Sequence, residues 1–253
     1  MSGHLVRQDP TAFSLEKISS AFAFKLEANS SDRLATVGKL SIGSNSALSG
    51  TADQSKSGQD PVFDAAQIAG HLTAVPDANG RGTFILTTPA GTSPFVFYVA
   101  SDSTLFLLET DTGGAARTRQ VGLAERQALP FSAATANGAG AMRAFGFDTH
   151  PSSLGGVSVT GSLAIQNLTH ATLSWSAVSV GAAVSIDSLR SDLVTFDPST
   201  GRGTIQVVNG SANDFADSVA FYLASPGRGF FLDKSAARFN RALAGDLAEP
   251  SAP

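Results

Sequence analysis

The sequence predicts two tandem all-β domains, each an antiparallel up-and-down β-barrel, with a two-sheet β-sandwich as the alternative. Three observations lead there. Four landmarks recur in the same order, 121–124 residues apart. They are Phe22-Ala-Phe24 with Phe145-Gly-Phe147, Gly80-Arg-Gly-Thr83 with Gly201-Arg-Gly-Thr204, Phe97-Tyr-Val-Ala-Ser101 with Phe221-Tyr-Leu-Ala-Ser225, and Gly122-Leu-Ala-Glu125 with Gly245-Asp-Leu-Ala248. Apolar residues alternate with polar ones in short runs, the period of half-buried strands. Turn formers (25 Gly and 11 Pro in 253 residues) interrupt those runs often enough to make the strands many and short.

In chain order, residues 1–9 read as an orphan leading strand. Ser2-Gly-His-Leu-Val-Arg-Gln-Asp9 resembles Val121-Gly-Leu-Ala-Glu-Arg-Gln127, the end of the first repeat. Gly3, Leu5 and Arg7 are its candidate assembly residues. Residues 10–127 form the first repeat. Its strands include Phe22–Leu26 and Thr83–Leu86, whose large apolar residues alternate. Phe95-Val-Phe97-Tyr-Val99 and Leu105-Phe-Leu-Leu108 are apolar on both faces, as expected of strands covered outside by a linker or a neighbouring domain. Asp77-Ala-Asn79-Gly80 is a hairpin signal. Residues 128–144, rich in Ala, Gly and Pro, read as a flexible tether. Residues 145–253 form the second repeat, with a short helical turn expected over Lys234–Arg241. Eight consecutive strands per repeat close most simply as a meander, which leaves no sheet edge.

Composition narrows the function. Net charge is −4 and no basic stripe exists, which argues against nucleic acid as a partner. The chain has no Cys, so disulfides, thiolate catalysis and Cys-ligated metals are excluded. Charged residues are only 15% of the chain, leaving a surface of Ser, Thr and Gly. No apolar run reaches membrane-span length, and no signal-peptide core is visible near Met1.

The succession Gln-Asp-Pro-x-Ala-Phe-Ser (8–14), Asn79-Gly-Arg-Gly-Thr83, Phe97-Tyr-Val-Ala-Ser101 and Phe106-Leu-Leu-Glu-Thr-Asp111 resembles a group of tandem β-domains from large secreted or surface proteins of environmental bacteria, a group without an assigned activity. The resemblance spans nearly the whole chain. It is weaker in the second repeat, where Asp233-Lys-Ser235 replaces Glu109-Thr-Asp111 and residues 148–200 diverge. It implies extracellular placement and a modular, non-catalytic role.

No constellation of catalytic or metal-binding residues emerges. His4, His71, His150 and His170 lie far apart without metal-ligand spacing. Asp111-Thr-Gly113 matches the aspartic-protease tripeptide, but the second repeat offers no matching Asp, and a turn explains the residues. Asp53, Asp60, Asp64 and Asp77 are spread too widely for a calcium loop and read as solvated loop acids. Sequons at Asn29, Asn167 and Asn209 carry no weight. Trp175 reads as a packing residue. Arg81 and Arg202 recur between glycines, and Glu109 and Asp233 occupy matching places, so Arg81–Glu109 and Arg202–Asp233 are the expected ion pairs.

No cofactor is expected. The leading functional reading is a non-enzymatic extracellular assembly module (surface array, adhesin stalk or filament subunit) that self-associates or joins neighbouring repeats, with strand complementation as one route. The second is a barrel holding a small apolar molecule or glycan in its mouth, as lipocalin-like barrels do.

Overall fold

The computed structural model describes residues 6–28, 34–56, 63–110, 119–132, 137–148, 155–167, 170–179, 182–184, 189–207, 218–234 and 242–248. Eight strands build the first repeat: β1 (Ala21–Ala28), β2 (Leu34–Ile42), β3 (Ala47–Lys56), β4 (Phe63–Ala74), β5 (Arg81–Thr88), β6 (Gly91–Ser101), β7 (Thr104–Glu109) and β8 (Gln120–Arg126). Each pairs antiparallel with the next, and β8 returns to β1 with Phe22 opposite Arg126, closing the barrel.

Alternation places Phe22, Phe24, Phe84, Phe95 and Phe97 inside, all buried, with the rings of Phe84 and Phe95 stacked 4.9 Å apart. A barrel of this strand number has an interior just wide enough for its own side chains, and here they fill it. Two short helical turns, Pro10–Ala12 and Leu15–Ile18, precede β1 and add Ala12 and Ile18 to that core.

The second repeat consists of β9 (Gly138–Asp148), β10 (Gly155–Asn167), β11 (His170–Ser179), β12 (Ala182–Val184), β13 (Leu189–Asp197), β14 (Arg202–Val207), β15 (Ser218–Ser225), β16 (Arg228–Asp233) and β17 (Ala244–Ala248). Its sheet runs β10-β9-β17-β16-β15-β14-β13-β11-β12 and curls until β10 also pairs with β11. Its core holds Met142, Val159, Leu163, Leu173, Ile205, Phe221 and Phe231. The predicted tandem barrel architecture is therefore present.

Three of the four landmarks mark equivalent places; the Phe-x-Phe landmark does not. Gly122 faces Leu26 across the β8–β1 seam, and Gly245 faces Ala144 across β17–β9. Met142 and Ala144 thus stand where Phe24 and Leu26 stand, and both are buried in the core. Register is set by the partner strand and by which residues must face inward, so a nearby composition echo misleads. Accordingly the second repeat's first strand starts at Gly138 rather than 145.

The segment expected to be a tether is docked where it is described. Phe131 is buried in the second core, and its backbone N–H donates to the Pro198 carbonyl at 3.1 Å. The repeats pack outer face to outer face. Ala23, Ala35 and Val37 of β1 and β2 meet Tyr222, Ala224, Phe230, Leu232, Ala242 and Ala244 in a third buried cluster.

Candidate functional site

The joint between the repeats is the most constrained polar region. Its centre is Asp53. On β3 the residues Ala52 and Gln54 face the barrel interior, which turns Asp53 outward, yet it is wholly buried beneath the second repeat. Arg202, at the start of β14, donates to both its oxygens from Nε and Nη2, each at 2.8 Å. The Tyr222 hydroxyl donates a third bond at 2.8 Å. Asp64 accepts from Arg202 and pairs with Lys234 Nζ at 2.8 Å. Bidentate guanidinium–carboxylate contact is the strong form of this interaction and fixes orientation as well as distance.

Protonation follows from these surroundings. Burial pushes the Asp53 carboxyl up, against the pull of Arg202. Its bond with Asp53, and then Lys234, hold the Asp64 carboxyl down at about 2. Burial, reinforced by the Asp53 charge, pushes the Tyr222 phenol up. At the rim, Lys25 pairs with Asp246 at 2.9 Å, Arg228 with Glu125 at 2.7 Å, and Lys39 Nζ donates to the Ser199 carbonyl at 3.0 Å.

The expected pairs Arg81–Glu109 and Arg202–Asp233 are not formed. Strand parity forbids both. Arg81 shares the outer face of β5 with Thr83, while Glu109 points inward with Leu105 and Leu107. Arg202 likewise faces outward opposite Tyr222, and Asp233 shares the inward face of β16 with Phe231. Glu109 instead accepts from the Gln120 backbone N–H at 3.0 Å.

The repeated Gly-Arg-Gly has a packing explanation. Gly80 and Gly201 both adopt φ +70°, and a Cβ there would lie 2.6 Å from the rings of Phe13 and Phe131 respectively. A Cβ on Gly82 or Gly203 would lie about 2 Å from the ring of Phe97 or Phe221 (2.2 and 2.1 Å). Each glycine leaves room for an aromatic ring.

The same rings belong to a repeated seam. Gln127, just past β8, donates from Nε2 to the carbonyls of Leu223 (2.7 Å) and Thr200 (2.8 Å), and the Ala128 N–H donates to Ala224 at 2.8 Å. In the first repeat Gln8 donates to Val99 (2.8 Å) and Asn79 (3.3 Å), and the Asp9 N–H donates to Ala100 at 2.8 Å. Residues 6–9 are not a strand; Arg7 among them is exposed, while Gly3 and Leu5 lie outside the described residues.

The mouth of the first barrel holds a cavity of about 140 Å³ lined in part by Thr36, Gln54, Glu109 and Gln120. Gln54 donates to Thr36 at 2.9 Å and Thr36 to Gln120 at 3.0 Å. That volume is well below the roughly 300 Å³ at which small-molecule pockets begin.

Other candidates stay apart. Asp53 and Asp64 are not loop acids but strand residues of the joint, whereas Asp77 does sit at a turn, accepting from the N–H groups of Asn79 and Arg81 (2.8 and 3.0 Å). Asp60, Asp111, His4, His150, Asn29, Asn209 and the 235–241 part of the expected helical turn lie outside the described residues. His71 is exposed on β4; His170, Asn167 and Trp175 lie on strands of the second sheet, Trp175 opposite Gly161. Among the described residues no cluster of three His, Asp or Glu suits a metal ion, and no helix is long and apolar enough to cross a membrane.

Comparison with known proteins adds little. No family model and no curated protein matches the chain. One similar solved structure is a de novo designed fluorescence-activating β-barrel, 13% identical, with a TM-score of 0.33, over 45% of this chain and 96% of that one.

Proposed function

We propose that the chain is a non-enzymatic structural module whose repeats stack in fixed orientation, and that it works outside the cell as part of a surface array, stalk or filament. The observation that carries this reading is the joint. A wholly buried carboxylate held by two strands of the next repeat defines one relative orientation, a specification that a tether between independent binding domains does not need. The low charge content and the resemblance to tandem domains of secreted bacterial proteins support extracellular placement.

Stacking through outer faces fits better than strand donation. The first barrel is closed, so it offers a donated strand no free edge. The reading of a ligand carrier is disfavoured by the Phe-filled interior and the small mouth.

Small-angle scattering of the intact chain and of Arg202→Ala tests the reading. A single rigid two-lobed particle, loosened by the substitution, is expected. Freely jointed lobes in the parent chain would overturn it. Location is checked by protease treatment of intact source cells: loss of the protein supports surface placement, and full protection refutes it.

A further inference from the structure

The joint has an unused duplicate on the first repeat. The face that the second repeat presents to β1 and β2 carries Tyr222, Ala224, Phe230 and Leu232, with Arg202 beside them. The landmark offset of 124 maps these four onto Tyr98, Ala100, Phe106 and Leu108, identical residue for residue, and Gly-Arg-Gly maps Arg202 onto Arg81. Register agrees: Arg202 stands opposite Tyr222 on paired strands, and Arg81 stands opposite Tyr98. In the second repeat this surface is buried, with Tyr222 and Leu232 both 0% exposed. In the first it is largely open: Ala100 is buried and Phe106 half-buried, but Tyr98 stands at 42%, Leu108 at 41% and the neighbouring Val121 at 51%.

We infer that the outer face of β5–β7, centred on Arg81, Tyr98, Phe106 and Leu108 and edged by Val121 of β8, is a docking surface for a further repeat of this kind. This rests on the stacking reading above. The occupant is specified by the joint already in the molecule: small apolar residues such as Ala23, Ala35 and Val37 flanking one carboxylate equivalent to Asp53. That carboxylate takes Arg81 in bidentate contact and the Tyr98 hydroxyl, as Asp53 takes Arg202 and Tyr222.

Gln8 gives the connection. Gln127 leads out of β8 and locks the first repeat's exit to the second repeat's turn; Gln8 makes the same bonds to the first repeat's turn. The incoming repeat therefore arrives through residues 6–8.

A second copy of this chain fits less well. Its Asp53 face is already buried by its own second repeat. On the second repeat, the pairing of Thr160 with Ser176 occupies the place of Val37 with Asp53, so the carboxylate is absent there. The rim is less complete in the proposed joint, because Thr104 stands where Arg228 stands in the existing one, and Leu123, in the place of Asp246, already packs against the existing joint. Lys25 of the incoming repeat would keep Glu27, its neighbour at 3.4 Å.

The chain has no cysteine, so a single introduced thiol reports burial cleanly. Leu108→Cys is placed in the parent chain and in a three-repeat chain in which residues 8–126 are joined directly ahead of residue 8, the substitution being in the downstream copy. Reaction with a small disulfide reagent is expected to be at least 100-fold slower in the longer chain. Asp53→Asn in the upstream copy should restore at least tenfold of that rate. Tyr98→Cys serves as the second reporter should Leu108→Cys misfold. Equal rates in the two chains would overturn the inference. So would protection in the parent chain that grows with concentration, which would assign the face to a second copy. Leu232→Cys in the parent chain separates the two readings. If it is protected, failure at Leu108 sinks only this inference; if it reacts freely, the stacking reading itself falls.

Discussion

Removing the Arg202 guanidinium by Arg202→Ala strands the Asp53 carboxylate. Asp53 is 0% exposed, so it cannot recover water without separating the repeats. The Tyr222 hydroxyl, at 2.8 Å, and the Ala65 backbone N–H, at 3.2 Å, would still hold it, but neither carries a compensating charge. Breaking a buried pair from one side costs about 3–5 kcal/mol, because the surviving charge is desolvated without compensation. The cost should appear as an undocking transition at lower urea, followed by circular dichroism alongside the thiol reactivity of Leu232→Cys. Removing both charges in Asp53→Leu/Arg202→Met should recover most of the loss, since an apolar pair of similar size replaces a buried ion pair at little net cost. Arg81→Ala, at the matching but exposed position, should change stability by no more than about 0.5 kcal/mol. A loss below about 1 kcal/mol for Arg202→Ala, the size of an exposed pair, would refute the argument that Asp53 is sealed by the joint.

Three further outcomes are expected. Asp64 has a folded-state pKa of about 2, below its ordinary 3.8, so its contribution is whole above pH 4 and is lost as pH falls toward 2. Asp53 runs the other way, since the fold raises its pKa and favours its protonated form. The melting temperature of the parent chain should therefore fall across that acid window more steeply than that of Asp64→Asn, and equal slopes would discount Asp64. Gly82→Ala drives a methyl to 2.2 Å from the Phe97 ring and should cost about 1–3 kcal/mol in urea unfolding. Gln127→Ala removes one buried and one partly buried hydrogen bond and should cost about 1–3 kcal/mol, with Gln8→Ala costing less because its longer bond, 3.3 Å to Asn79, is exposed.

The architecture was legible because its signals are periodic. Alternation at Phe84-Ile-Leu86 and duplication of Phe-Tyr-x-Ala-Ser report local geometry that each strand needs on its own account. The two-sided apolar strands also carried information. The outer cover was expected over β6 and β7, where Tyr98 and Leu108 are instead exposed; the strands that a neighbouring repeat does cover are their counterparts β15 and β16. Asp53 was not legible. It sits among Ser, Thr and Gly, the surroundings of a solvated loop, and its burial comes from residues 149 and 169 positions later in the chain. The recurrence of Arg202 draws attention to it but points to the wrong partner, because sequence equivalence of Asp233 with Glu109 says nothing about which face of a strand each occupies. Tyr222 was hidden inside a motif that reads as core; only its hydroxyl marks it as part of the joint.

The closed barrel has a geometric consequence for any longer assembly. The first repeat docks through β1 and β2, and the face equivalent to its partner's docking surface centres on β6 and β7. Counting around the ring through β8, these faces are about three strands of eight apart, roughly three-eighths of a turn about the barrel axis. A series of such joints cannot run straight. Each added repeat would turn the direction of growth through the same angle, so a stack would bend steadily instead of extending in a line.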